Sequence, residues 1–207
     1  MAQLNGSEIL AKALKREGVD ELFFLMGGPM LAAEAATINE GIRCIDVRHE
    51  QAAAMMAQAY SRLQQRPGVC MAASGPATIN LSTGLANALI DCCPVVALGG
   101  AGPVSGYGRQ VFQEIDQMEI MSGCVKYAAR VHDARRIPEM LNVAMQRAMS
   151  GKPGPVYLDL PGDVLYQMVD EDKIDWSPSE RPILGARPPA PQAQIDELAA
   201  ALAKAER

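Results

Sequence analysis

A doubly wound parallel α/β sheet with helices on both faces is the architecture this chain predicts, on three observations. The first is the stretch VCMAASGPATINLSTGLANALIDCCPVVALGG, from Val69 to Gly100. No charged residue occurs between Arg66 and Asp91. The turn residues Ser74-Gly75-Pro76 divide this run into short elements, which argues against a membrane span. Each element is apolar without alternation, as for strands covered on both faces. The second observation is that strand-like and helix-like segments alternate at least four times, the pattern of parallel strands joined by right-handed helical crossovers. The third is that strands run directly into the turns Gly27-Gly28-Pro29, His49-Glu50 and Ser74-Gly75-Pro76. Those turns fall at the carboxyl edge of the sheet, where open α/β folds bind ligands.

The elements follow in order. Asn5 and Glu8 form a capping box for a helix whose apolar face is Ile9, Leu10, Ala13 and Leu14, ended by Gly18. Leu22 to Met26 reads as a buried strand, Leu31 to Glu40 as a helix, and Ile42 to Val47 as a strand. Arg48-His49-Glu50-Gln51 opens an Ala/Met-rich helix reaching about Leu63. Pro67-Gly68 is a turn. The central stretch then gives a strand, the Ser74-Gly75-Pro76 turn, one helix from Thr78 to Ile90, and a strand ending at Gly100. A glycine-rich loop leads to a short helix over Asp116 to Met121, then a strand from Lys126 to Val131. Pro138 sits early in a helix over Ile137 to Met149, where its missing N–H costs nothing. The last strand runs from Gly154 to Leu160. Residues 1–176 therefore read as one domain, and the proline-rich segment 177–192 as a linker. Within 193–207, Ile195 to Ala205 is an amphipathic helix with nothing after it to pack against.

Composition narrows the function classes. The chain is 49% hydrophobic and 21% charged, as expected of a soluble globular protein, with a formal net charge of -5. That balance disfavours nucleic acid and anionic membranes as main partners. The N-terminus has no basic segment followed by an apolar one, so no secretory signal is read and a cytoplasmic location is expected. Five cysteines without a C-x-x-C pair read as reduced packing residues. Only His49 and His132 are available as histidine ligands, so no metal site is expected on this chain. Neither a G-x-G-x-x-G fingerprint nor a phosphate-binding G-x-x-x-x-G-K-[ST] loop is complete.

Singly, the chemical candidates are bland. An acid in a first helical turn, such as Glu50, ordinarily complements the helix dipole. Gln113 alone is a loop amide, and His49 alone a structural histidine. In order along the chain, however, stand His49-Glu50-Gln51 followed by three alanines, Ser74-Gly75-Pro76 with Asn80, Asp91-x-x-Pro94, Phe112-Gln113-Glu114, and Lys152-Pro-Gly-Pro155 leading to Leu158-Asp-Leu-Pro161. From Ser7 to about Leu165 this set resembles the pyrimidine-binding domain of thiamine-diphosphate-dependent enzymes, in the branch of acetolactate synthases and 2-hydroxyacyl-CoA lyases. It departs from the family's S-G-P-G-A-T-N, reading Ser74-Gly-Pro-Ala-Thr-Ile-Asn80 here.

The resemblance implies a catalytic role for Glu50, hydrogen-bonded to the aminopyrimidine ring and sharing a proton with it. It implies that Gly27, Gly28, Pro29, Ser74, Gly75, Pro76 and Asn80 line the cofactor. Phe112 and Gln113 fall on the substrate side, Gln113 with a catalytic part, and His49 beside Glu50 is a candidate for proton transfer. The expected cofactors are thiamine diphosphate and Mg²⁺, the metal held with the diphosphate by a further domain carrying a G-D-G…N motif that is not in this sequence. The chain is therefore expected to be part of a larger homodimeric or homotetrameric enzyme. Likeness at Gly84-Leu-Ala-Asn-Ala88, Cys92-Cys-Pro94 and Leu98-Gly-Gly100 implies a lyase that cleaves an acyl-CoA substrate, a 2-hydroxyacyl-CoA, to formyl-CoA and an aldehyde or ketone. Acetolactate synthase and oxalyl-CoA decarboxylase are the alternatives within the enzyme class, and a catalytically silent regulatory or scaffold domain is the alternative outside it.

Overall fold

A computed structural model describes residues 2–180 and 189–206; half of the expected linker, 181–188, lies outside the described residues. Six strands form one parallel sheet: β2 (Glu21–Leu25), β3 (Arg43–Asp46), β4 (Gly68–Ala72), β5 (Val95–Ala101), β6 (Tyr127–Arg130) and β7 (Val156–Pro161), in the order β3-β2-β4-β5-β7-β6. The helices are α1 (Gly6–Arg16), α2 (Leu31–Asn39), α3 (Glu50–Gln64), α4 (Pro76–Asn80), α5 (Ser82–Ile90), α6 (Gln117–Ser122), α7 (Ile137–Met149), α8 (Gly162–Tyr166) and α9 (Gln192–Lys204). The doubly wound fold is as expected.

Alternation within each strand assigns the two faces. Leu22, Phe24, Val69, Met71, Val96, Leu98, Val156 and Leu158 join one apolar layer with Leu10 and Leu14 of α1 and Ile137 and Leu141 of α7. Phe23, Cys70, Ala72, Val95, Ala97 and Tyr157 join the other, with Ala53, Ala54 and Ala57 of α3, Leu85 of α5 and Met121 of α6. Each fully buried leucine or isoleucine contributes about 1.5–3 kcal/mol by leaving water. The Asn5 capping box forms as expected: Asn5 Oδ1 accepts from Glu8 N at 3.0 Å and Glu8 Oε2 from Asn5 N at 2.7 Å.

Three features depart from the expectation, one of them the short helix α8 after the last predicted strand. The single helix over Thr78 to Ile90 is two helices, α4 and α5. The Leu81 N–H bonds to Thr78 O at 3.0 Å, three residues back, which tightens the turn while Leu81 itself is fully buried. A second, two-stranded antiparallel sheet, β1 (Gln3–Asn5) with β8 (Met168–Asp170), was not anticipated.

After β8 the chain lies as a strap across α1 and α7, with Ile174 buried and the Arg16 guanidinium 4.5 Å from the centre of the Trp176 ring. A 3-10 turn over Ser177–Glu180 ends it. Beneath the strap Glu17 is 8% exposed. Its Oε1 accepts from Asn142 Nδ2 at 3.0 Å, whereas Glu17 Oε2 and Ser179 Oγ find no hydrogen-bond partner among the described residues.

Burial holds the Glu17 carboxyl above the usual range, against the lowering pull of Asn142 and the nearby Ser179 hydroxyl. A carboxyl so raised keeps its proton to higher pH in the fold than in the unfolded chain. Its contribution is complete at acid pH and is lost as pH rises through the folded-state value. Glu17→Gln is therefore expected to melt above the parent at about pH 7 and together with it at about pH 4. Parallel pH profiles for the two proteins would rule out a titrating Glu17.

Candidate functional site

The strand order reverses between β2 and β4: the chain leaves β2 for β3 and returns past it to β4. A crevice at such a reversal is where open sheets take ligands, and three of the predicted turns meet there. The peptide Gly28–Pro29 is cis. A Cβ on Gly27 would lie 2.6 Å from Ala73 Cβ, so the turn after β2 sits directly against the turn after β4. Gly75 has φ +60° and ψ −117°, a conformation open to glycine alone, and a Cβ there would meet the Gln113 carbonyl oxygen at 2.2 Å. Pro76 then opens α4 at a position that needs no N–H.

Glu50 is the first residue of α3 and is 7% exposed. Its Oε2 accepts from Asn80 Nδ2, at the end of α4, at 2.9 Å. No hydrogen bond reaches Oε1 among the described residues. The carboxyl group is thus buried and fixed by one oxygen. Its place in the first turn puts it beside the free N–H groups of α3.

Ser74 joins the other candidates. Its Oγ donates to Gln113 Oε1 at 2.8 Å and lies 3.3 Å from Gly28 O. Gln113 is held at φ +59°. Phe112 is 87% exposed. The structure therefore gathers Gly28, Ser74, Gly75 and Gln113 into one group and pairs Glu50 with Asn80. His49 is exposed and caps α3, its Nδ1 accepting from Gln51 N at 3.1 Å.

Sequence reasoning missed the residues that brace this group. Gln117 is 2% exposed. Its Oε1 accepts from Gly75 N at 2.8 Å, and its Nε2 donates to Gly100 O at 2.8 Å, Tyr157 OH at 2.8 Å and Asp159 Oδ1 at 2.6 Å. Tyr157 also donates to Asp159 Oδ1 at 2.6 Å. The fully buried Asp159 carboxylate forms an ion pair with Arg130, whose guanidinium lies 5.1 Å from the centre of the Tyr107 ring. Burial first, then the Asp159 carboxylate, push the Tyr157 phenol well above its ordinary range, so it stays a neutral donor. The one available signal was Asp159, a charge inside the otherwise apolar strand VYLDLP. Nothing local distinguishes Gln117.

No three His, Cys, Asp or Glu side chains among the described residues are grouped so as to hold a metal ion. No helix among them is long and apolar enough to cross a membrane.

Comparison with known proteins agrees with this geometry. Residues 4–120 match the family model described as thiamine pyrophosphate enzyme, N-terminal TPP binding domain. The chain is 34% identical over 211 residues to a 2-hydroxyacyl-CoA lyase of Arabidopsis thaliana, covering 99% of this chain and 36% of that protein. It is 35% identical over 205 residues to the acetolactate synthase isozyme 2 large subunit of Escherichia coli K12, covering 99% and 36%. It is 40% identical over 185 residues to a probable acetolactate synthase large subunit of Methanococcus aeolicus, covering 89% and 31%. The chain spans about a third of the length of these curated relatives. With that match covering both the β2/β4 crevice and Glu50, the chain belongs to the thiamine pyrophosphate enzyme family, as its N-terminal cofactor-binding domain.

Proposed function

We infer that this chain forms the pyrimidine side of a thiamine-diphosphate-dependent carbon–carbon lyase that cleaves a 2-hydroxyacyl-CoA to formyl-CoA and an aldehyde or ketone. The observation that carries the cofactor assignment is Glu50, a buried carboxyl with one oxygen fixed by Asn80 and no hydrogen bond on the other among the described residues. That arrangement fits a ring nitrogen, which needs one group able to hold or move a proton at that atom. Asn80 would orient Glu50, and the apposed Gly27-Gly28-Pro29 and Ser74-Gly75-Pro76 turns would admit the ring closely. When bound, thiamine diphosphate supplies the carbanion chemistry. Gln113, pinned by Ser74, and the outward Phe112 would face the substrate, and His49 lies one residue from the carboxyl.

Residues 1–176 would make up this domain, 177–192 the connection, and 193–207 the first helix of the next. The exposed Ile195, Leu198 and Leu202 on α9 support that continuation. Further domains would hold the diphosphate and Mg²⁺. Exposed Met55, Met56 and Ile90 on α3 and α5 support burial against a second subunit, in a homodimer or homotetramer. A cytoplasmic location fits this reading.

The second reading is acetolactate formation from pyruvate, favoured by the acetolactate synthases of 35% and 40% identity. The deciding assay offers the complete enzyme, with cofactor and Mg²⁺, a 2-hydroxyacyl-CoA, oxalyl-CoA and pyruvate separately. Formyl-CoA from the first supports the lyase. Acetolactate from pyruvate, with both thioesters inert, moves the assignment to the synthase, and turnover of oxalyl-CoA alone moves it to a decarboxylase. Failure on all three together with no cofactor binding would indicate a silent domain.

A further inference from the structure

The loop between β5 and α6 is wound around one of its own side chains. Glu114 accepts from Gly108 N through Oε1 and from Val111 N through Oε2, the latter at 2.9 Å. Its own N–H returns to Val111 O at 2.9 Å. Two backbone amides, those of Gly108 and Val111, thus clamp the two oxygens of one carboxylate, an anion nest filled from within the chain. Three residues of this short segment sit in the left-handed region: Gly108 at φ +76°, Gln110 at +57° and Gln113 at +59°. Two of them are glutamines, which do not adopt that conformation without something to hold it. Phe112 and Gln113 lie between Val111 and Glu114 in the chain, the first exposed, the second bonded to Ser74.

The geometry points to Glu114 as a positioning residue: its carboxylate, bound by the Gly108 and Val111 amides, holds Phe112 and Gln113 in the pose that meets Ser74 and the substrate. This rests on the assignment of Gln113 to the substrate side. Glu114 touches neither cofactor nor substrate in this role. It acts by fixing a backbone that would otherwise relax out of two left-handed glutamines.

The test uses the complete enzyme with Glu114→Ala, Glu114→Gln and Gln113→Ala. Hydrogen exchange of the peptide covering 106–114 reads the holding directly, without turnover. In Glu114→Ala this peptide should exchange at least about tenfold faster, as for the loss of one or more hydrogen bonds. The melting temperature and thiamine diphosphate affinity should stay at parental values. KM for the acyl substrate should rise about tenfold, with a smaller change in kcat. Glu114→Gln, which keeps one of the two acceptor oxygens, should recover part of both effects. Unchanged exchange in Glu114→Ala would overturn the holding. Faster exchange with unchanged KM and kcat, while Gln113→Ala alters them, would overturn the positioning. If Gln113→Ala itself leaves the kinetics unaltered, the substrate-side assignment fails, and with it the kinetic half of the proposal, whatever the exchange shows.

Discussion

Glu50→Gln in the complete enzyme is expected to fold normally and to lose ~10²–10⁴-fold in turnover, the usual cost of removing a proton-transfer group. The substitution keeps the shape of the side chain and an oxygen able to accept from Asn80 at the 2.9 Å contact. It removes the ability of the open position to exchange a proton. Little stability should be lost, since an amide is no harder to bury than a carboxyl. Asn80→Ala makes the matching control. It leaves the carboxyl in place but unfixed, and should cost less in turnover than Glu50→Gln. Parental turnover in Glu50→Gln, measured with saturating cofactor, would remove Glu50 from the mechanism.

The second large effect concerns stability. Arg130→Leu strips the fully buried Asp159 of its only cation among the described residues, and about 3–5 kcal/mol should be lost, the cost of leaving a buried charge uncompensated. Tyr157 and Gln117 still donate to Asp159 Oδ1 but cannot neutralise it. The double variant Arg130→Leu with Asp159→Leu should recover part of the loss, because no charge remains buried. Denaturant unfolding of the four proteins in one cycle measures the coupling. Additive losses in that cycle would mean that the pair stabilises nothing as a pair.

Much of the fold was legible because its signals are local. The apolar strands of the central stretch, the glycine and proline turns and the Asn5 capping box each declare themselves within a few residues. The Ser74-Gly75-Pro76 turn was legible for the same reason, whereas Glu50, between Arg48, His49 and Gln51, was bland by itself and stood out only through the family resemblance. What escaped depends on contacts distant in sequence. Gln3 pairs with Asp170, and three-residue strands so far apart leave no pattern to read. The break at Leu81 comes from one hydrogen bond to Thr78, in residues whose propensities run on as a single helix. Gln117 matters only because Gly75 and Tyr157, 42 and 40 residues away, converge on its amide.

The strap bears on how the chain can be watched. Trp176 is the only tryptophan in the sequence, and it lies under Arg16 on the α1 side of the sheet. A partly buried indole against a guanidinium has an emission that depends on that contact. Intrinsic fluorescence from this chain is therefore an optical gauge of whether its exit segment is seated. It is blind to events at Glu50 unless those events also lift the strap. A spectral change on ligand addition would then signal motion transmitted across the sheet.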